Sequence, residues 1–383
     1  MSRHYLDHNA TAPLRPEVID AVTTAMAQDG NSLSVHEEGR QARKALEEAR
    51  NQLRKLVNAP VNGIIFTSGG TEAIHLGLHG LVKAHGISKI FVSAIEHSAV
   101  LMNAETTGAS VETIPVTQDG GADLNWLAQR LREDDVADSP FLVCLMAANN
   151  ETGVIQPIRE AADITHAAGG LLFCDGAQAV GKIPVNFLML GADAMSLTGH
   201  KFGGPVGAGA LVVGPNLPLS PVMRGGGHEE NRRAGTHNVP AIVGLGVAAQ
   251  LAHETLQRSD EIRTLRDNIE VCVKQAGANV WGGDAERLPG TLCLSTDGFS
   301  SATQVMAMDL AGISISAGSA CSSGKAKASP VLVAMGASEE TADNAIRVSL
   351  GWNSTQSDAQ AFIDAWPRAY ERVQTKLQQR GAA

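Results

Sequence analysis

The stretch "SLTGHKFGGPVGAGALVV", residues 196–213, decides how the fold of this chain is interpreted. An apolar, strand-like segment ends at Thr198, a glycine-rich turn carries Lys201, and a second apolar segment follows. The glycines let the backbone approach other groups closely. A lone loop lysine is usually solvated. A lysine desolvated in these surroundings would instead have a lowered pKa and could form a Schiff base with a carbonyl cofactor.

Short apolar segments of the same kind alternate with helical ones through the first two thirds of the chain. Strands are predicted at residues 63–68, 89–94, 110–116, 141–148, 170–175, 193–198 and 208–213. Helical spacing is found at residues 15–28, 37–57, 71–86, 124–133 and 158–169. This alternation predicts an α/β fold, with a mostly parallel seven-stranded sheet between helices.

The pattern changes after about Leu251. Two helices, predicted at residues 259–276 and 355–378, flank shorter strands near residues 290–295, 313–316 and 345–350. We interpret this part as a smaller α+β domain that the N-terminal residues join. The predicted large domain covers residues 15–255, and the predicted small domain covers residues 1–14 and 256–383.

Composition excludes several classes of protein. The 383 residues carry a net charge of −10, so no basic face is expected for nucleic acid. The five cysteines are widely spaced and form no CxxC pair, which argues against a disulfide framework and against a zinc site. We find no apolar N-terminal signal region and no apolar run that predicts a membrane span, and we expect a cytoplasmic protein.

Other strand ends carry residues that suit a phosphorylated, ring-shaped cofactor. In "FTSGGTEAIHL" the strand turns at Gly69 and Gly70, and Thr71 opens a helix whose free N–H groups could bind phosphate. This signal is weak alone, because many strand–helix turns look similar. Thr198 and His200 could add phosphate hydrogen bonds.

Polar residues at three further strand ends could contact the ring itself. Asp175 could keep a pyridine nitrogen protonated, although a helix N-cap is an equally good reading for a lone aspartate. Gln178 could bind a phenolic oxygen, and His97 could stack on the ring or simply cap a helix. Asn150 follows the third of these strands. The carboxyl ends of the strands are where open α/β sheets bind their ligands.

The stretch "SAGSACSSG", residues 316–324, places Cys321 among small residues with no histidine or second cysteine beside it. Taken alone, it reads as a spare loop thiol.

In order and spacing these motifs resemble fold-type I pyridoxal-phosphate enzymes, and more narrowly the cysteine desulfurases of the class V aminotransferase family. The likeness runs from about Tyr5 to the last helix. Further stretches that carry it are "YLDHNATAPLRPEV", "RGGGHEENRRAGTHNV" and "NAIRVSLGWNST". "GSACSSGKAKASPVL" is similar to the long cysteine loop of the nitrogen-fixation and iron–sulfur-assembly type.

The resemblance implies a role for each residue. Lys201 would bind pyridoxal 5'-phosphate covalently and move the substrate α-proton, with His97 stacked on the ring and assisting. Asp175 would pair with the ring nitrogen and Gln178 with the phenolate. The implied phosphate ligands are Gly70, Thr71, Thr198, His200 and, from the other subunit of a homodimer, Thr236. The implied ligands of the substrate carboxylate are Asn150 and Arg347, and Asn150 would contact the cofactor as well. An interdomain salt bridge is the alternative role for Arg347.

The resemblance also gives Cys321 a function. Its thiolate would take the sulfur of L-cysteine as a persulfide, leave L-alanine, and pass the sulfur to a scaffold or carrier protein for iron–sulfur cluster assembly or another thiolation. The alternatives are another class V enzyme (an aminotransferase, a selenocysteine lyase or a sulfinate desulfinase) and a catalytically silent scaffold. The identity of the acceptor stays open.

Overall fold

The computed structural model describes residues 3–137, 139–318 and 328–381. The strands are β1 His4–Tyr5, β2 Ile64–Thr67, β3 Lys89–Ser93, β4 Ser110–Ile114, β5 Phe141–Met146, β6 Leu171–Asp175, β7 Ala194–Thr198, β8 Gly209–Val213, β9 Asn279–Trp281, β10 Thr291–Ser295, β11 Ile313–Ser314, β12 Ser316–Ala317 and β13 Ile346–Ser349. The helices are α1 Pro16–Met26, α2 Glu37–Val57, α3 Gly70–His85, α4 Ser98–Thr106, α5 Leu124–Arg130, α6 Asp134–Ala137, α7 Ile158–Ala167, α8 Phe187–Leu190, α9 Val239–Gln257, α10 Ser259–Gln275, α11 Ser301–Leu310, α12 Pro330–Ala334, α13 Glu339–Asp343 and α14 Gln356–Gly381.

The larger sheet has seven strands in the order β2-β8-β7-β6-β5-β3-β4. Strand β8 is antiparallel to both of its neighbours, and the other pairs are parallel. The mostly parallel seven-stranded sheet predicted from the sequence is therefore confirmed.

Helices cover both faces of this sheet, which is why its strands, except the largely exposed edge strand β4, are apolar on both sides. In β2, Ile64 and Phe66 belong to one core cluster, together with side chains of α2 and α9. Ile65 points to the opposite face and packs with side chains of α3 and α4. This alternation follows from the two-residue period of a strand.

The second sheet is smaller and antiparallel, in the order β12-β13-β10-β9. Its core contains residues of α10 and α14, including the fully buried Trp366. Leu6 from the N-terminal segment belongs to the same cluster, and β1 pairs in parallel with β11. The expected shorter strands and flanking helices are present, whereas β1 and β9 were not predicted.

Helix α9 corrects one expectation. By length and composition alone it could cross a membrane, although no apolar run was expected to do so. In the fold it packs against α1 and α2, and Leu245, Ala248 and Ala252 are fully buried. We therefore interpret α9 as a core helix.

Candidate active site

The carboxyl ends of five strands meet at one edge of the large sheet. Strands β2, β3, β5, β6 and β7 all run in the same direction, because β2 and β7 are both antiparallel to β8. The loops that follow them therefore converge at the edge where parallel sheets bind ligands.

A cavity of about 510 Å³ opens at this edge. Its lining contains ten of the residues singled out in the sequence: Gly70, Thr71, His97, Asn150, Asp175, Gln178, Thr198, His200, Lys201 and Arg347. A wider surface groove of about 640 Å³ between α2 and α9 contains none of them. The roles given to these residues stay predictions, but the structure brings the residues together.

Lys201 lies in a short 3-10 turn directly after β7. Its Nζ donates hydrogen bonds to the backbone oxygens of Asn9 at 2.6 Å and Ala10 at 2.8 Å. The N-terminal segment thus supplies the acceptors for this amine, which no feature of the local sequence indicates.

Asp175 ends β6 and is only 6% exposed. Its Oδ1 accepts hydrogen bonds from the Ser196 hydroxyl at 2.7 Å and the Ala177 backbone at 3.1 Å. Among the described residues no donor to Oδ2 is found, so this oxygen can bind a ligand in the cavity. The neighbouring Glu96 is also buried. Burial and the charge of Asp175 raise the pKa of Glu96 well above its usual value.

Helix α3 begins at the wall of the cavity. Its N-cap, Gly69, has a φ of 153° and no side chain that caps the helix. A Cβ atom at Gly70 would lie 3.5 Å from the Cβ of Thr198, an ordinary contact distance, so Thr198 forms the facing wall of this corner. The ring of His200 adds a buried Nδ1 without a hydrogen-bond partner in the described part of the chain. Burial and the nearby lysines lower the pKa of His200 to about 4, so the ring is neutral at physiological pH.

His97 is the N-cap of α4, and its Nδ1 accepts a hydrogen bond from the backbone of Ala99 at 3.1 Å. This bond assigns the ring proton to Nε2 in the neutral imidazole. The capping role considered for His97 and a place in the cavity are therefore compatible.

Gln178 donates through Nε2 to the backbone oxygen of Asn9 at 3.0 Å. Its Oε1 accepts a hydrogen bond from Lys182, whose Nζ also donates to Asn9 Oδ1 at 2.7 Å. Sequence reasoning missed both Asn9 and Lys182. The four-residue separation of Gln178 and Lys182 was the one local feature that could have indicated their contact.

Arg347 is almost completely buried, at 2% exposure, and reaches the cavity from β13. It donates to Asp7 Oδ1 at 2.8 Å and to the backbone oxygen of Asn150 at 3.0 Å. Its Nε is buried without a partner in the described residues. Both the salt bridge and the position facing a ligand are therefore present, and Asp7 was not foreseen.

Glu151, next to Asn150, is a second buried carboxyl group near Arg347. It accepts a hydrogen bond from Ser329, which is the N-cap of α12. Burial raises the pKa of Glu151 to about 7, although the Ser329 hydrogen bond and the charges of Arg347 and His97 act in the other direction. This group was also missed by sequence reasoning.

One predicted residue of the described part of the chain stands apart from the cavity. Thr236 is exposed and does not line it, while the nearby Arg233 forms an ion pair with Glu72 at the start of α3, at 2.6 Å. Cys321 lies outside the described residues.

The other four cysteines are poor nucleophiles. Burial raises the pKa of each of these thiols, Cys144, Cys174, Cys272 and Cys293, which keeps them protonated. Within residues 3–137, 139–318 and 328–381, no group of three or more potential metal ligands is found.

Comparison with known proteins places this architecture in a family. The family model described as aminotransferase class-V matches residues 4–362. The chain belongs to the aminotransferase class-V family. This agrees with the family to which the sequence motifs were assigned.

Individual class V proteins match over nearly the full chain. An "IscS-like cysteine desulfurase" of Mycobacterium tuberculosis is 37% identical, covering 96% of this chain and 96% of that protein. The crystal structure of a "NifS-like protein" from Rickettsia africae superposes with a TM-score of 0.88 at 32% identity, over 96% of this chain and 99% of the other. The structure titled "SspA in complex with cysteine" gives a TM-score of 0.78 at 28% identity, over 91% and 98% of the two chains.

Class V enzymes of this kind depend on pyridoxal 5'-phosphate, and this chain is a pyridoxal-phosphate enzyme of the family. The cavity fits that cofactor in three respects. The uncapped start of α3 and the unpartnered Nδ1 of His200 suit a phosphate, the Oδ2 of Asp175 suits a protonated ring nitrogen, and Lys201 supplies the amine.

Proposed function

We propose that this protein is a cysteine desulfurase, which converts L-cysteine to L-alanine and takes the sulfur onto Cys321 as a persulfide. One observation carries the proposal. Lys201, Asp175 and Arg347 surround a single cavity in a class V chain that matches proteins named cysteine desulfurase over nearly its whole length.

In this proposal, the phosphate of the cofactor is held by Gly70, Thr71, Thr198 and His200. Thr236 of the partner subunit completes that end of the site. Asp175 would pair with the ring nitrogen, Gln178 would donate to the phenolic oxygen, and His97 would stack on the ring. The bound cofactor supplies an electron sink for the pair released when the substrate Cα loses its proton.

Lys201 has two tasks in the proposed reaction. Its amine holds the cofactor until substrate arrives and then carries the proton taken from Cα. The backbone oxygens of Asn9 and Ala10 orient this amine and hold it in the cavity. A lysine suits both tasks because a partly desolvated amine can serve as nucleophile and as base.

Arg347 and Asn150 bind the substrate carboxylate. The guanidinium is held rigidly by Asp7 and by the backbone of Asn150, so little side-chain entropy is lost when the carboxylate binds. Its unpartnered Nε provides one further donor.

The sulfur step needs a thiolate that can approach the substrate. The Cys321 thiolate attacks the substrate sulfur and forms an S–S bond, while the Cβ–S bond breaks and its electron pair returns to the carbon skeleton. Protonation of that carbon gives alanine. No external oxidant or reductant is required, since the sulfur is oxidised to the persulfide level by loss of the same two electrons that reduce the carbon.

The decisive experiment compares Cys321→Ser with Cys272→Ser, the second being the control because Cys272 is the least buried of the other four thiols. Both variants should be yellow and bind cysteine. Cys321→Ser should reduce alanine release and protein-bound persulfide to background, since a hydroxyl cannot accept sulfur, while Cys272→Ser should keep both. Alanine release from the serine variant at the wild-type rate would contradict the persulfide step and favour a lyase that acts by direct elimination.

We also propose a homodimer. The motivation is Thr236, which is exposed and outside the cavity of its own chain, although the resemblance assigns it to a phosphate site. Light scattering of the holoenzyme at micromolar concentration should give the mass of two chains. A fully active monomer would contradict the shared site.

Further proposals concern context and organisation. We propose that sulfur passes to a scaffold or carrier protein for iron–sulfur assembly or another thiolation, in the cytoplasm, where free thiols such as those in this chain persist. We propose a large domain of residues 15–255 and a small domain of residues 1–14 and 256–383. The packing of Leu6 with residues from Ile262 onward supports that division.

A further inference from the structure

Lys182 lies behind the wall of the cavity and does not itself line it. Its Nζ donates to two side-chain amide oxygens, Asn9 Oδ1 at 2.7 Å and Gln178 Oε1. Both of these acceptor residues do line the cavity. Lys182 therefore contacts the site through Asn9 and Gln178.

The contacts of Lys182 determine which way the amide of Gln178 faces. The backbone oxygen of Asn9 can only accept a hydrogen bond, so Nε2 must face Asn9, and Oε1 faces the donating Nζ of Lys182. The reversed amide would place Nε2 against Lys182 Nζ, two donors together, and Oε1 against the backbone oxygen of Asn9, two acceptors together. The observed orientation leaves Nε2, and not Oε1, as the end that can donate to a ligand.

Asn9 is fixed in the same way. Its Nδ2 donates to the Thr291 hydroxyl at 3.0 Å and to the backbone of Asn150 at 3.2 Å, so its Oδ1 must face Lys182. Because Asn9 is 1% exposed and Gln178 is 5% exposed, water cannot readily replace Lys182 as their donor.

We propose that Lys182 is a positioning residue that holds the amide of Gln178 with Nε2 directed to the phenolic oxygen of the bound cofactor. This inference rests on the cofactor role proposed for Gln178. It goes beyond that role because it assigns a function to a side chain that contacts neither cofactor nor substrate.

Charge contributes in the same direction. Burial and the charges of Lys201 and Arg347 lower the pKa of Lys182, while Asp7 acts to raise it. Lys182 in turn lowers the pKa of His8 and of His200. The repulsion between the two amines is mutual. A positive charge on Lys182 therefore disfavours a positive charge on the nitrogen of Lys201. A hydrogen bond from Gln178 to the phenolic oxygen would act in the same direction. It would stabilise the negative charge on that oxygen and so lower the pKa of the nitrogen of Lys201 that binds the cofactor.

The test is a double-mutant cycle on the holoenzyme, with Lys182→Met, Gln178→Ala and the double variant. The first readout is the pH midpoint of the visible band of lysine-bound pyridoxal phosphate, and the second is the Kd of pyridoxal phosphate for the apoprotein. We expect Lys182→Met to raise the midpoint and to weaken cofactor binding about 3- to 10-fold, as for the loss of one buried hydrogen bond. Both effects should fall by more than half in the Gln178→Ala background.

Two controls complete the design. Lys89→Met removes a lysine that pairs with Asp135 on the surface and should leave both readouts unchanged. If Lys182→Met does not fold, Lys182→Gln, which keeps one donor, replaces it in the cycle and should show the same dependence on Gln178.

The inference is overturned if Lys182→Met leaves both readouts unchanged, or if the changes are equal with and without Gln178, since Lys182 would then act by charge alone. In either case a yellow wild-type protein with desulfurase activity would still support the proposed function. A wild-type protein that stays colourless with added pyridoxal phosphate would overturn both.

Discussion

Replacing Glu151 by glutamine should make the protein more stable at high pH and should have little effect at low pH. The structural reason is burial, which raises the pKa of Glu151 from 4.5 to about 7. In the unfolded chain this carboxyl group ionises near pH 4.5, whereas in the folded protein it keeps its proton up to about pH 7. The stability that Glu151 contributes is therefore fully present below pH 4.5 and is lost as the pH rises to 7.

The magnitude follows from the difference between the two pKa values. A difference of about 2.5 units corresponds to about 3 kcal/mol at pH values above 7. Glutamine has the same shape, can accept the Ser329 hydrogen bond through Oε1, and does not ionise. Glu151→Gln should thus gain up to about 3 kcal/mol relative to wild type between pH 5 and pH 8.

Urea unfolding of the holoenzyme at several pH values, at fixed protein and cofactor concentrations, measures this difference. Glu105→Gln, at an exposed position on α4, is the matched control and should differ from wild type by the same amount at every pH. A difference between Glu151→Gln and wild type that does not change with pH, or that turns against the variant as pH rises, would refute the reasoning.

Three other predictions concern the site and a buried ion pair. Arg347→Ala should lower kcat/KM for cysteine roughly 30- to 1,000-fold, or 2–4 kcal/mol, because a desolvated charge-assisted pair is lost; an unchanged value would place the carboxylate site elsewhere. Lys201→Ala should abolish turnover and the visible band of the lysine-bound cofactor, and a fully active variant would refute the cofactor assignment. Burial acts to raise the pKa of Glu229, but hydrogen bonds from His237 and Arg50 lower it to about 2. The stability that Glu229 contributes is therefore present above pH 4.5 and is lost as the pH falls towards 2. Glu229→Gln should lower the free energy of unfolding in urea by about 3 kcal/mol at pH 7 and by less at pH 3. A loss of stability that is the same at both pH values would argue against the ion pair.

The sequence was sufficient to predict the large sheet because most of its strands are apolar on both faces and turns separate them from amphipathic helices. Strands β1 and β9 were missed because they have only two and three residues. The partner of β1, strand β11, lies some three hundred residues away, and no local pattern indicates such a pairing.

The same distinction applies to the site. Asp175 and Lys201 could be found because each ends or follows a buried strand, at the edge where ligands bind. Asp7, Asn9 and Lys182 could not, because each matters only through contacts with residues distant in sequence. The roles of all the site residues remain predictions, and for Thr236 and Cys321 so does their place in the site.

The pairing of β1 with β11 has a consequence for the order in which the protein is made on the ribosome. Residues 4–10 are synthesised about three hundred residues before Ile313 and Ser314, so β1 has no partner strand until these follow, and Asp7 has no guanidinium until Arg347 emerges. At 5–20 residues per second, this start of the chain waits roughly 15 to 60 s while the large sheet is completed behind it. Because Arg347 is made after every strand of the large sheet, a nascent chain that has folded this sheet still lacks a finished site.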